Sequence, residues 1–308
     1  RRSKMKIQNR AKICLCISIV IMLVAVVMSL TGHGINYGID FAGGLNLQYD
    51  MGSTYDKADV EEALKAQGIE EFVVSSVGSE GTAVQIRVPT LSDEDEVQNL
   101  QNGLETTLLE KYPNMDTDNA TASYVGPVAG ATLVRNAIFS VLIAAVLMLI
   151  YIAFRFDLFS GVAAVAGLLH DVLIMISFMV ILRNVIQMNS SFIAAMLTIV
   201  GYSINNTIVI FDRIRENNKK PALAGQPRSE IVELSVKESL GRTINTTLTT
   251  LVTIVTLYIL GVASIREFSL PIIIGILAGA YSANLINGYV WAALEDARLA
   301  RKSQKKAA

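Results

Sequence analysis

Apolar residues along this chain fall into two kinds of pattern. Six stretches are continuously apolar and nearly free of charge: residues 13–30, 131–154, 158–182, 192–211, 244–263 and 268–291. Each holds about 20 residues, the length a helix needs to cross the hydrocarbon core of a bilayer. Between the first and second stretches the rhythm changes. Residues 45–49 and 72–77 run apolar or alternate as strands do, and residues 83–88 (AVQIRV) alternate cleanly. Residues 55–67 read as a helix, with Asp56 as its N-cap and Asp59 three positions on. Ser92 with Asp95 repeats that pattern before a second helix that ends near Tyr112 and Pro113. A last strand fits residues 121–125. The order β-α-β-β-α-β is the ferredoxin-like arrangement. The pattern therefore predicts an α-helical membrane protein with six transmembrane helices and one ferredoxin-like α+β domain between helices 1 and 2.

Composition agrees. The 308 residues are 52% hydrophobic and only 17% charged, with a mean hydropathy of +0.46, against about a quarter charged in soluble domains. That excludes a soluble enzyme. A net charge of −1 excludes a nucleic-acid binder, and two cysteines exclude a disulfide scaffold. Cys14 and Cys16 lie two apart in the first span, on different helical faces, and read as buried free thiols rather than a metal or redox pair. No nucleotide-binding motif, metal-ligand spacing or nucleophile elbow occurs, so no cofactor, metal or catalytic residue is expected.

The near-zero net charge hides a division. Between Leu45 and Pro127 stand 16 acidic residues and four basic ones, Lys57, Lys65, Arg87 and Lys111, a net of −12 that leaves +11 for the rest. Those carboxylates fall mainly on helix surfaces and caps, as a solvated face does. Basic residues outside that segment set the orientation. Arg1, Arg2, Lys4, Lys6, Arg10 and Lys12 precede the first span, Arg155 follows the second, and the loop 212–242 and the tail 292–308 are basic. The two short loops on the other side hold one basic residue each, Arg183 and Arg266. By the positive-inside rule both termini are cytoplasmic and residues 31–130, with a ferredoxin-like core at about 45–127, are extracytoplasmic. The basic residues 1–12 and the apolar run after them resemble a signal peptide. The run is about 18 residues long and shows no clear small-residue cleavage pattern, so it reads as a retained span.

Three blocks carry a family resemblance. Gly38-Ile39-Asp40-Phe41-Ala42-Gly43-Gly44 sits just outside the first span. By physics alone its glycine pair is a turn that Asp40 is placed to cap. Residues 201–217 (GYSINNTIVIFDRIREN) close the fourth span, and residues 239–250 (SLGRTINTTLTT) open the fifth. With Arg155-Phe156-Asp157 and His170-Asp171 between them, these blocks resemble the SecD/SecF family of bacterial protein export, on its SecF side, over nearly the whole chain. The resemblance implies membership of the resistance-nodulation-division (RND) superfamily and a place in the bacterial plasma or inner membrane. It implies pairing with SecD, separate or fused, in a pseudo-symmetric twelve-helix unit. It further implies association with the SecYEG translocon through accessory proteins, and use of proton or sodium motive force to draw preprotein substrates outward. A chain that opens on Arg1 rather than Met reads equally as a trimmed SecF or as the C-terminal half of a fusion.

One position departs from the family. Its fourth span usually carries Asn-Asp where this chain has Asn205-Asn206, and that Asp is taken as part of the ion path, facing an Arg that matches Arg242. An amide hydrogen-bonds to a guanidinium but carries no proton near neutral pH. Two schemes follow: a relay borne by SecD and Asp171, or a sodium site in which the amide oxygen is a neutral ligand for a hard cation. By depth alone, Asn206 and Arg242 on antiparallel neighbours lie close enough for contact.

Ionisable groups at membrane depth are functional candidates by default. Asp171, beside His170 near the middle of the third span, reads either as a relay element or as a buried pair hydrogen-bonded to a neighbouring helix. Asp212 and Arg213, where the fourth span leaves the membrane, read as a structural anchor sooner than as part of the ion relay, for which Asp212 is also a candidate. The threonines between Thr243 and Thr256 read as packing or as solvation of a relay. Gly275 and Gly279 form a GxxxG packing face, and Asn284 and Asn287 follow it at helical spacing, facing either the interior or an interface. Two other functions compete with protein export. A small-molecule or lipid exporter of the same superfamily needs a large outer domain in each half, which a single domain of about 80 residues does not supply. A non-transporting structural subunit needs no relay at all.

Overall fold

The structure is a computed structural model, and it describes residues 7–77, 81–89 and 94–307. The expected cap at Ser92 and the basic residues Arg1 to Lys6 lie outside these. Helix α1 (Ile7–Leu30) leads into a short helix α2 (Ile39–Ala42) and then the sheet domain: β1 (Gly44–Asp50), α3 (Lys57–Ala66), β2 (Val73–Val77), β3 (Ala83–Val88), α4 (Glu94–Lys111) and β4 (Asp116–Val125). The four strands are antiparallel in the order β2-β3-β1-β4, which is the ferredoxin-like topology the sequence predicts. Alternation does the sorting. Leu45, Leu47 and Tyr49 of β1 pair with Val88, Ile86 and Val84 of β3, and with Val74 they bury against Val60 and Leu64 of α3 and Leu100, Leu104 and Leu108 of α4. Each such side chain contributes about 1.5–3 kcal/mol by burial. The opposite face carries Asn46, Gln48, Ser75, Gln85 and Arg87, matched across the strands. Asp56 caps α3 as expected, accepting from the Ala58 N–H at 3.0 Å.

The bundle follows: α5 (Pro127–Arg155), α6 (Leu158–Ile181), α7 (Ser190–Asn218), a 3-10 turn at Pro221–Leu223, α8 (Arg228–Leu260), α9 (Ala263–Ser282), a π turn at Ala283–Asn287, and α10 (Gly288–Ala307). Six helical segments are long and apolar enough to cross a membrane: Ala11–Leu30, Ala129–Arg155, Leu158–Ile181, Ser190–Asn218, Arg228–Leu260 and Ile265–Arg301. The expected loop 212–242 is mostly helix instead, because α7 runs on to Asn218 and α8 starts at Arg228. The apolar window ends there, yet Phe211, Ile214, Val232 and Val236 continue one apolar stripe and bury beside Trp291 and Ala292. The fifth span stops at Leu260 rather than residue 263, and the tail continues the sixth helix.

Helix α9 packs on α6, α7 and α8, and α6 also contacts α1 and α5. The GxxxG pair makes this possible. A Cβ on Gly275 would come within 2.5 Å of Ile199, and one on Gly279 within 3.1 Å of the Ser203 Cβ. Helices α1, α5 and α8 turn apolar faces outward, through Leu23, Ile143 and Leu248 among others. That placement corrects the cysteine expectation: both thiols are free, but Cys14 is only half-buried and Cys16 is exposed, because α1 sits at the bundle edge.

Candidate functional site

Asp171 sits near the middle of α6 and is wholly buried. Its Oδ2 accepts from the Ser203 hydroxyl of α7 at 2.5 Å and the Ser282 hydroxyl of α9 at 3.0 Å. Its Oδ1 lies 2.9 Å from His170 Nδ1. On its far side the imidazole meets α1 and α9, with Nε2 2.8 Å from the Ser18 hydroxyl and 3.1 Å from the Tyr281 hydroxyl. Those two hydroxyls are 2.9 Å apart, and the Tyr281 ring stands edge-on to the imidazole at 5.3 Å. Four helices thus meet on one carboxylate–imidazole pair. Small residues permit it, since a Cβ on Gly279 would lie 3.4 Å from Asp171 Oδ2.

The chemistry available is proton transfer. Hydroxyls donate and accept at once, and an imidazole takes a proton at one nitrogen while giving one from the other. A carboxylate held by two hydroxyls and an imidazole is also fully hydrogen-bonded, as a purely structural buried group must be. The feature beyond that requirement is the path: Asp171, His170, then Ser18 and Tyr281.

A second polar seam runs from Asp171 along α7. Thr207, one turn on from Ser203, donates to the Ser203 carbonyl at 3.0 Å and accepts from Asn287 Nδ2 at 2.8 Å. Asn284 accepts from the Thr243 hydroxyl at 3.0 Å. Both asparagines are buried in the π turn, a distortion frequent at functional sites. Asn287 sits so close to α6 that a Cβ on Gly167 would come within 2.0 Å of its Oδ1. Sequence spacing left these two between interior and interface, and the structure puts them inside.

The expected contact between Asn206 and Arg242 is absent. Asn206 is buried with its Nδ2 unpartnered, whereas Arg242 is exposed, and no hydrogen bond or ion pair among the described residues joins them. Helical phase is the reason: Thr243 and Thr247 take the inward face of α8, which turns Arg242 outward. Asn205 is likewise exposed on α7. Thr246, Thr249, Thr250, Thr253 and Thr256 donate to carbonyls four residues back on their own helix. Asp212 is exposed, 3.9 Å from Arg155, a surface pair of little energetic value. Its neighbour Arg213 joins α7 to α8 through Glu238 at 2.7 Å, where Asn217 also donates at 2.8 Å.

The glycine block is a joint. Gly38 and Gly43 bound the single turn of α2, with Gly43 at φ +77. Gly44 at φ +112 brings β1 against the Val88 carbonyl. Phe41 offers its carbonyl to α5, where a Cβ on Gly130 would come within 2.9 Å of it. Asp40 does not cap the glycine turn. Its Oδ2 accepts from the Ser190 N–H at 2.8 Å, at the start of α7, because Met188 pairs with Asn36 and Gly38 and draws that helix end alongside.

Residues 105–297 match the family model of the protein export membrane protein SecD/SecF, C-terminal, and residues 29–53 match the SecD/SecF GG motif. The protein translocase subunit SecF of Rickettsia bellii is 35% identical over 279 residues, covering 91% of this chain and 89% of that protein. The translocase subunit SecDF of Bacillus subtilis is 33% identical over 288 residues, 91% of this chain but 37% of its own length. A crystal structure of SecDF from Thermus, described as a translocon-associated membrane protein, superposes with a TM-score of 0.78 at 32% identity, over 94% of this chain and 38% of that one.

Proposed function

Because the chain belongs to the SecD/SecF family of protein-export membrane proteins, we propose that it is the SecF half of an ion-driven export device. With SecD it uses a proton or sodium gradient to help draw preproteins through SecYEG. Both termini lie in the cytoplasm and the sheet domain lies outside, as the basic-residue asymmetry argues. One observation carries the coupling: a fully buried carboxylate, bonded to hydroxyls on two other helices and to an imidazole that reaches a hydroxyl on a third. A charge at that depth is costly and is kept where it works. Asp171 and His170 then hold and pass the proton. Asn206, inward and with an unused amide, tunes the seam rather than titrating. Arg242 faces outward toward the SecD half, as Asn205 does.

The test is secretion in inverted membrane vesicles with proton and sodium gradients varied separately, for the native protein and for Asp171→Asn. The variant keeps the volume and the hydroxyl partners, so it should assemble normally and lose gradient-stimulated secretion. Indifference of the native protein to both gradients would leave a purely structural subunit.

A further inference from the structure

A cleft of about 640 Å³ separates the sheet domain from the bundle end beside it. Strands β2 and β3 form one wall; the connection between α6 and α7 and the first turns of α9 form the other. Its charge runs against its setting. Among the described residues four cations line it, Lys57, Arg87, Arg183 and Arg266, against one acid, Glu267. Two of those cations come from a segment with 16 acids and only four bases.

Arg87 is the sharpest feature. It is 8% exposed, its Nε has no hydrogen-bond partner, and among the described residues it joins no ion pair, Glu267 being the carboxylate whose charge reaches it. Glu267 accepts instead from Asn189 at 2.6 Å. Arg266 also has an unpartnered buried Nε. A guanidinium held nine-tenths out of water, with Glu267 acting on it only from beyond ion-pair distance, is costly, and a carboxylate seated in the cleft relieves that cost. The second feature is main chain. Strand β2 is the sheet edge, its residues 73–76 line the cleft, and among the described residues no strand pairs with its outer side. A free edge binds extended peptide by strand addition.

We propose that this cleft receives an extended peptide segment bearing a carboxylate side chain, its main chain pairing with the free edge of β2 and its carboxylate meeting Arg87 and Arg266. The proposal deepens the export reading and rests on it for the source of the peptide, though not for the chemistry. Amide groups decide for peptide over an anionic lipid headgroup or free phosphate, since those have none to offer the strand edge.

The experiment uses the full chain in nanodiscs of zwitterionic lipid. The probe is a short fluorescent peptide of alternating valine and threonine with one central aspartate, read by anisotropy. Replacing that aspartate by asparagine should weaken binding about tenfold, as should N-methylation of alternate amides. Arg87→Gln and Arg266→Gln should each weaken the aspartate peptide by a similar factor and leave the asparagine peptide unchanged. Arg266→Gln serves alone if hydrogen exchange shows Arg87→Gln unfolded. Equal affinity for the two peptides, or native affinity in both arginine variants, overturns the proposal. So does binding that ignores N-methylation and is competed away by phosphatidylglycerol in the disc or by inorganic phosphate. Secretion measured separately keeps the two readings apart. Peptide binding without gradient-dependent secretion defeats the coupling alone, and full secretion from a variant that has lost binding defeats the cleft's role in export.

Discussion

Gly44→Ala tests the joint between the first helix and the sheet. Gly44 has φ +112, outside the regions open to residues that carry a Cβ. A Cβ there would lie 2.3 Å from the Val88 carbonyl oxygen and 2.8 Å from Pro89 Cα, where ordinary contact begins at 3.4 Å. Both obstacles are backbone, so no rotamer change relieves them. The end of β3 must move roughly 1 Å, which opens the ladder around the Leu45–Val88 pair. Backbone strain of about 1–3 kcal/mol and one or two ladder bonds of about 1 kcal/mol each give about 3–4 kcal/mol. Gly43, at φ +77 and ψ 174, also lies in a region essentially reserved for glycine, but it precedes the first paired residue of β1, so alanine there costs backbone strain of about 1–3 kcal/mol and no ladder bond. Hydrogen exchange read by mass spectrometry on peptides from β1 and β3 resolves the difference. A loss of 3 kcal/mol speeds exchange by roughly a hundredfold, while peptides from α6 and α7 keep their protection. Native exchange in Gly44→Ala, or a greater loss in Gly43→Ala, would refute the reasoning.

Three further outcomes are expected. The Tyr112 hydroxyl, first, and Lys111 hold the Asp59 carboxyl below the usual carboxylate range. Such a depressed group stabilises the fold above its unfolded pKa of about 3.9, and that stabilisation is lost as pH falls through the folded value. Tyr112→Phe should therefore lower neutral stability and flatten the pH dependence, so that urea midpoints of sheet-domain protection near neutrality and near pH 3 draw together; an unchanged gap counts against the link. Asp40→Ala should strip the Ser190 N–H of its acceptor and raise exchange in the first turn of α7 about fivefold, a loss of about 1 kcal/mol, with Asp40→Asn rescuing it. With Cys14 and Cys16 replaced by serine, a cysteine at Ser53 should be labelled by an impermeant reagent in intact cells and one at Ala224 should not, and the opposite pattern would invert the topology.

The spans and the sheet were legible because each rests on a local period. Continuous apolarity marked the helices, and alternation marked β1 and β3, whose core residues fall on one face. The fourth and fifth helices ran beyond their apolar windows because an amphipathic stripe through Ile214, Val232 and Val236 replaced lipid as the thing buried against. Asp171 and His170 were visible as charge inside a span. Their partners were harder to see, since serine and tyrosine are ordinary in spans and nothing local says that Ser18 and Tyr281 meet across 263 positions. Ser18, a polar residue well inside the apolar first span, was the available hint. The pairing of Asn206 with Arg242 was inferred from depth, and depth without helical phase cannot say which way a side chain points. Arg87 looked like an ordinary polar tooth of an alternating strand, because what buries it is the bundle.

The outward edge of α8 has a consequence for the life of the subunit in the cell. An exposed Arg242 at the foot of an apolar helix is tolerable when a second protein covers it and awkward when lipid does, where a guanidinium costs about 2.5–3.5 kcal/mol on the insertion scale. A copy whose α8 edge meets only lipid thus bears that cost, and one whose edge is covered does not. Joining two halves in one polypeptide, as the length of the Bacillus subtilis relative allows, keeps a cover for such an edge tethered beside it from the start.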